Sequence, residues 1–245
     1  MALNPTAIEA STLETVTHTK AARNTSTADS DRDRGLAAVK AGEKSANALV
    51  AALCGGYSVH KDVATVACNA IKVLAVSIKG HVGAAFFGAP AAIVSTILAH
   101  MDDLDVAKEA LSALSNIVNL PRGRQTAVDA GAHAAIVAVM RKHADAADAT
   151  TNALWVLKCL TRLDADKQKA FDAGAPAVIV AAVRAHKCVV SVSEYGLGVL
   201  ANIATLPAGK IALLAAGGRD AVAAAMARHD AVRKVGALLL CIFDE

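Results

Sequence analysis

The stretch AVDAGAHAAIVAVMRKH, residues 127–143, recurs along the chain with small changes. A close copy, AFDAGAPAVIVAAVRAH, lies at 170–186, and weaker copies lie at 84–100 and 213–229. Each copy ends on a histidine 12 residues after a glycine, and neighbouring copies are spaced by 43 residues. These residues are Gly88, Gly131, Gly174 and Gly217 with His100, His143, His186 and His229. Two residue types at a fixed distance over four copies indicate an internal repeat.

The pattern within one copy predicts three helices. A short helical stretch precedes the glycine, which suits a left-handed turn between two helices. Apolar residues then recur at i, i+1 and i+4, as on one face of a second helix that ends at His143. A longer third helix follows, and a tiny residue in it, such as Gly196, lets another helix cross closely. Pro121 and Pro207 fall after third helices, where proline terminates a helix.

Three helices in 43 residues, with a glycine between the first two, resemble an armadillo repeat. The resemblance rests on 127–143 and 170–186 together with ALSALSNIV, TNALWVLKCL and YGLGVLANIA from third helices. It implies an all-α fold, a right-handed α-solenoid (superhelix) of about five three-helix repeats of ~43 residues. HEAT repeats, the competing interpretation, use two helices and usually lack this glycine. The array is expected over 34–245, with repeats near 34–79, 80–122, 123–165, 166–208 and 209–245.

The N-terminal segment, residues 1–33, differs from the array in composition. It is rich in Thr and Ser, and NTSTADSDRDR at 24–34 is typical of a disordered linker. The stretch TAIEASTLETV could instead form a short helix that docks on the array or on a partner. The sequence therefore predicts a flexible tail, with a docking segment as the alternative.

Composition and charge limit the partners of the chain. It is 55% hydrophobic but only 3% aromatic, as expected for closely packed helices, and its net charge of +3 is too weak to indicate nucleic acid. The uncharged stretch at 82–99 is interrupted by Gly88 and Pro90, so no membrane span is expected. Five cysteines without a CxxC pair favour buried, reduced thiols in an intracellular, cytoplasmic protein.

No residue set indicates catalysis, so the sequence predicts a protein that is not an enzyme and has no cofactor. The nucleophile, metalloprotease and phosphate-loop motifs are all missing. The four repeated histidines are the strongest candidate for a metal site, but no Cys, Asp or Glu repeats beside them to complete a zinc shell. The structural alternative is that each imidazole bonds free carbonyls in the last turn of its own helix. The second interpretation is favoured.

The armadillo resemblance places the working surface on the third helices, which line a concave groove in that family. Members such as importin-α hold an extended peptide with a Trp and, four residues later, an Asn, whose amide both donates to and accepts from a backbone. Here the Asn position holds Asn116 and Asn202 but also Val76 and Cys159, and Trp155 has no Asn in its own copy. Nuclear import is therefore not expected. The predicted groove residues are Glu109, Ser112, Asn116, Asn119, Asn152, Trp155, Arg162, Tyr195 and Asn202.

Alternatives remain for the groove residues and for the C-terminal end. Trp155 could belong to the core, and both asparagines could bond their own loops. The chain ends in GALLLCIFDE, whereas a terminal repeat normally needs a polar outer face. Self-association or partner binding is therefore predicted at Leu238, Leu239, Ile242 and Phe243.

Two functions follow from these surfaces. The first is a non-enzymatic adaptor or scaffold that binds a protein or an extended peptide in the concave groove. The second is a structural subunit of a larger assembly, such as a cytoskeletal or ciliary complex, that uses its apolar ends.

Overall fold

The repeat unit predicted from the sequence is present in the computed structural model, which describes residues 29–41, 46–54, 59–77 and 88–245. Within these residues the regular structure is helical and no strand occurs. One unit consists of two shorter helices and one longer helix: α6 (Pro121–Asp129), α7 (Ala132–Lys142) and α8 (Ala147–Leu160).

The other described helices repeat this order on both sides of the unit. Before it lie α1 (29–41), α2 (Ala46–Cys54), α3 (Lys61–Ser77), α4 (Ala89–Ala99) and α5 (Leu104–Ile117). After it lie α9 (Asp164–Asp172), α10 (Ala175–Ala185), α11 (Val190–Ala204), α12 (Pro207–Ala215), α13 (Gly218–Arg228), a 3-10 turn (Asp230–Val232) and α14 (Arg233–Asp244). The third helices are thus α3, α5, α8, α11 and α14.

A left-handed glycine separates the first two helices of a repeat, as the sequence predicts. The φ angles are 78° at Gly131, 80° at Gly174 and 76° at Gly217. This conformation favours glycine because a Cβ atom would crowd the backbone. Gly88 differs, with φ of −82° and ψ of −21° before α4.

Pro121 and Pro207 start helices as well as follow them. Each is the first residue of the next repeat's first helix, where a missing N–H costs no intrahelical hydrogen bond. Repeats therefore begin at Pro121, Asp164 and Pro207, two residues before the predicted boundaries.

The repeats share one continuous core. Each third helix packs against the third helix of the next repeat, from α3 to α14. The buried apolar residues form a single cluster that extends from Val39 to Phe243. At Gly196 an added Cβ would lie 2.7 Å from Cγ2 of Val183, which confirms the close crossing predicted there. Since no repeat encloses its own apolar faces, stacking buries them.

The repeated histidines join neighbouring repeats rather than their own helix ends. Each is the residue at which a second helix ends. In three of them, the ring Nε2–H donates to a backbone oxygen of the preceding repeat. His143 donates to Met101 (2.9 Å), His186 to Ala144 (2.7 Å) and His229 to Lys187 (2.9 Å). The prediction of bonds within the same last turn was wrong for these three rings, because each ring points across the repeat boundary. Within the described ranges, no three His, Cys, Asp or Glu side chains come together as metal ligands.

The array extends into the segment predicted as a tail. Residues 29–41 form α1, and Arg32 makes an ion pair of 2.8 Å with Asp62 of α3. The predicted linker at 24–34 is therefore helical from residue 29. Residues 1–28, with the predicted docking segment, and the side chain of Val76 lie outside the described residues.

Two further expectations concern apolar segments and thiols. No helix in the described part of the chain combines the length and apolarity needed to cross a membrane. All five cysteines are free, but only Cys68 is fully buried. Cys54, Cys188 and Cys241 are exposed, so the expectation of buried thiols was wrong for these three.

Candidate binding groove

Seven of the nine predicted groove residues are half-buried on the third helices α5, α8 and α11, whereas Asn119 and Arg162 lie exposed in the turns after α5 and α8. We call the surface formed by these half-buried side chains and by Lys72 of α3 the groove face. At two repeat boundaries, equivalent pairs of positions on neighbouring third helices meet: Trp155 contacts Tyr195, and Lys72 contacts Glu109.

An aromatic pair occupies the centre of the groove face. The rings of Trp155 on α8 and Tyr195 on α11 have centroids 5.1 Å apart and are tilted by 59°. The ammonium nitrogen of Lys158 lies 5.8 Å from the Trp155 centroid and 5.3 Å from that of Tyr195. Trp155 is half-buried, so it is not a fully buried core residue and keeps part of its ring available to a partner.

The same pair of positions holds an ion pair two repeats earlier. Nζ of Lys72 lies 2.6 Å from Oε2 of Glu109, and both side chains are about 30% exposed or less. The negative charge of Glu109 is thus neutralised from within the chain. The repeat register predicts Glu109 in the groove, but its partner is 37 residues away and is not predicted from the sequence.

The two groove asparagines bond the preceding repeat. Nδ2 of Asn116 donates to the backbone oxygen of Lys72 at 3.3 Å, and Nδ2 of Asn202 donates to Oγ1 of Thr161 at 3.0 Å. Neither amide bonds its own loop, the alternative that the sequence leaves open. Each asparagine therefore contributes to stacking, and its Oδ1 is the atom left for a partner.

Of the remaining predicted residues, Ser112 and Asn152 lie on α5 and α8, and Asn119 lies in the turn after α5. Asn119 donates from Nδ2 to the oxygen of Ser115 at 3.1 Å, and its Oδ1 lies 4.0 Å from Sγ of Cys159. Ser112 is half-buried, and its backbone oxygen accepts from Oγ of Ser115 at 2.7 Å. Asn152 is half-buried on α8.

A cluster of cations lies at the C-terminal end of α8. Arg162, in the turn after α8, and Arg124 of α6 line a depression of about 330 Å³. Burial raises the pKa of the half-buried Cys159 thiol, whereas the positive charges of Arg124, Lys158 and Arg162 act to lower it. We call Arg124, Arg162 and Lys158, which lies in the last turn of α8, the basic cluster.

Of this cluster, only Arg162 is predicted from the sequence. Arg124 lies on a first helix, 38 residues earlier in the chain, and only packing brings it to α8. A periodic signal was present, because the same position holds Lys167 and Lys210 in the next two repeats. First helices therefore contribute cations to this edge of the groove face.

The C-terminal end is less open than the sequence predicts. Leu239 is fully buried and Phe243 is 6% exposed, because α14 packs through them against α11 and α13. The prediction that these two side chains form an end surface was wrong. Leu238 is 56% exposed and Ile242 is half-buried. Self-association stays a prediction that depends on these two; sedimentation of a Leu238→Lys variant beside the parent chain would test it.

Comparison with solved structures finds the same architecture. A designed armadillo repeat protein in complex with the peptide (KR)4 has a TM-score of 0.63 and 22% identity, over 80% of this chain and 81% of its own. An engineered protein has a TM-score of 0.53 and 20% identity, over 84% and 91%. A second designed armadillo repeat protein has a TM-score of 0.52 and 17% identity, over 80% and 98%. No protein-family model and no curated protein matches the chain. The likeness confirms the predicted all-α solenoid of armadillo-type repeats.

Proposed function

We propose that the chain is a non-enzymatic adaptor that binds a protein or an extended peptide along the groove face. The observation that carries this proposal is the half-buried pair of Trp155 and Tyr195, which bridges two repeats with part of its ring surface uncovered. Large aromatic side chains of this kind dominate the energetics of protein interfaces.

The polar residues beside the pair suit an extended peptide. The Oδ1 atoms of Asn116 and Asn202 are two hydrogen-bond acceptors on the same face, on either side of α8. An amide oxygen accepts from any backbone N–H, so it holds a chain without selecting its sequence. The designed armadillo protein with the (KR)4 peptide supports a peptide as the ligand class.

The proposal is tested by screening the full chain against a random peptide library displayed on phage. We expect selected peptides to bind the parent chain and to lose at least 10-fold in affinity with Trp155→Ala and Tyr195→Ala combined. The matched control is Ile211→Ala, which removes a side chain that is 68% exposed on α12. Thermal unfolding of each variant shows whether the array is intact.

Two outcomes contradict the proposal. In one, the library yields no peptide that binds the parent chain. In the other, the double variant remains folded and binds the selected peptides as tightly as the parent does.

A further inference from the structure

The basic cluster has no internal counter-charge. In the described part of the chain, none of the ion pairs includes Arg124, Lys158 or Arg162. Two other cations, at related positions of other repeats, do have a carboxylate partner: Lys72 is paired with Glu109, and Lys167 with Asp164 at 2.8 Å. The positive charge at the C-terminal end of α8 is therefore available to an external anion.

The carboxylate that lines the depression beside Arg124 and Arg162 forms no ion pair with either arginine. Asp166 lines the same depression as Arg124 and Arg162, but its side chain is only 9% exposed. Its Oδ1 lies 3.3 Å from Nζ of Lys169, which supplies its counter-charge. Each arginine thus retains its guanidinium donors for a ligand, in the planar geometry that matches a carboxylate.

Three acidic residues of the third helices lie at the opposite helix ends. Asp62, Asp105 and Asp148 are in the first turns of α3, α5 and α8. The basic cluster is at the last turn of α8 and just beyond it, so these carboxylates and the cations are separated along the helix axis. Glu109 lies further along α5, where it is paired with Lys72.

Lys158 links the cluster to the aromatic pair. Its stem passes over Gly198, where an added Cβ would lie 3.1 Å from the lysine Cε. Within the described part of the chain, its ammonium group contacts only the faces of Trp155 and Tyr195. A cation–π contact at a partly exposed site is weak. A ligand anion can thus draw the ammonium off the rings and uncover them for an apolar side chain.

We propose, building on the proposed function, that the ligand of the groove face is an acidic peptide with an aromatic or large apolar anchor. Carboxylates bind the basic cluster, and the anchor binds on Trp155 and Tyr195. Arg162 lies in the turn just after α8, and Lys158 contacts both rings of the aromatic pair, so the two parts of the site are adjacent.

Three fluorescent peptides of equal length test the proposal by anisotropy with the full chain. The first has four Asp or Glu residues and one Trp; the second replaces the acids with Lys; the third replaces them with Ser. We expect the acidic peptide to bind at least 10-fold more tightly than the other two, and to weaken as salt screens the charges. Replacing its Trp with Ala should also weaken binding.

Charge-matched variants separate a local site from net charge. Arg124→Gln with Arg162→Gln should lower affinity for the acidic peptide at least 10-fold. The control, Lys187→Gln with Lys234→Gln, removes two exposed cations elsewhere and should leave affinity within 2-fold. Arg162→Gln alone changes one exposed residue in a turn, so it provides a test if the double variant does not fold.

Several outcomes would overturn the inference. One is that the Lys peptide, or a fluorescent dT oligonucleotide measured in the same way, binds more tightly than the acidic peptide. Another is that the acidic peptide does not bind. The third is that the two double variants lower the affinity for the acidic peptide equally. Tighter binding of the Lys peptide would still support the proposed function. A phage library that yields no binder would overturn both.

Discussion

At the scale of single residues, three histidines hold neighbouring repeats together through one atom each. His143, His186 and His229 donate from Nε2 to the backbone oxygen of a residue 42 positions earlier. The acceptor always follows the histidine of the preceding repeat. The histidine column is thus a set of inter-repeat hydrogen bonds, which explains why the residue recurs with the period of the stack.

Replacing one ring should lower stability by the value of one hydrogen bond. We expect His186→Ala to reduce the free energy of unfolding by about 1 kcal/mol, because the carbonyl of Ala144 loses its donor. Urea unfolding at pH 7 measures the change. His186→Asn, which retains a donor on a shorter side chain, is the comparison variant. An unchanged unfolding midpoint for His186→Ala would show that water replaces the ring without cost.

His133 is a buried histidine of a different kind. It is 2% exposed, and neither ring nitrogen has a hydrogen-bond partner in the described structure. Burial lowers its pKa to about 4; Asp166 acts to raise it and Lys169 to lower it. His133 is the second residue of α7. The second residues of the equivalent helices α4 and α10 are Pro90 and Pro176.

The His133 pKa predicts acid sensitivity. The folded pKa lies below the ordinary value of 6.5, so the unfolded chain takes up a proton between about pH 6.5 and 4 that the folded chain does not. The contribution of the neutral, buried ring to the free energy of unfolding is complete above pH 6.5. It is lost as pH falls to 4, which lowers the free energy of unfolding by at most about 3 kcal/mol. We expect His133→Pro to lose less stability than the parent over this range, measured by urea unfolding at pH 7, 5.5 and 4.5. An equal loss of unfolding free energy in the variant and the parent over this pH range would contradict the prediction.

At the scale of elements, the turn between first and second helices is fastened by an arginine of the preceding repeat. Nη2 of Arg141 donates to the oxygen of Ala173 at 3.1 Å, and Nη2 of Arg184 donates to that of Gly217 at 2.8 Å. The turn at Gly131 lacks this contact, because the preceding repeat has Leu98 at the position equivalent to Arg141.

This difference separates two effects of a glycine substitution on stability: the cost of a left-handed backbone and the cost of losing the arginine contact. An added Cβ at Gly131 has no atom within 4 Å, so Gly131→Ala should cost about 1 kcal/mol from the left-handed φ alone. An added Cβ at Gly174 would displace Nη2 of Arg141, so Gly174→Ala should cost about 1 kcal/mol more. Thermal unfolding of both variants checks the order. Equal losses would mean that the arginine moves aside freely.

At the scale of the whole molecule, the array is one core divided among repeats that contact only their neighbours. The last repeat retains its inward-facing residues, Leu239 and Phe243. Ala237 is exposed at the position of the buried Leu197, and Ala223 is exposed at that of the buried Val180. At these two positions the last repeat therefore has smaller apolar side chains than the repeat before it.

A core truncation in the last repeat should act locally. We expect Leu239→Ala to cost about 2–5 kcal/mol, because it removes a fully buried side chain. Stability in a repeat array depends on nearest neighbours, so the loss should be confined to the C-terminal part. Hydrogen exchange should speed up in α13 and α14 while amides of α5 and α8 retain their protection. Equal acceleration in all helices would show that the array unfolds as one unit.

The sequence by itself determined the repeat and the local structure within it. A period of 43 residues, the left-handed glycines and the histidines at helix ends follow from short-range chemistry, because backbone conformation and helical periodicity depend on neighbours along the chain. The groove residues Trp155 and Tyr195 could also be assigned to third helices by register alone.

Tertiary structure decided what each of these residues contacts. Only the rotation and stacking of helices set the carbonyl that His186 reaches, the burial of Leu239 beside the exposed Leu238, and the approach of Arg124 to α8. Residues about 40 positions apart meet through packing of whole repeats. Helical periodicity does not indicate which side chains of the neighbouring repeat they contact. The cations of the basic cluster therefore form one site only in the folded array.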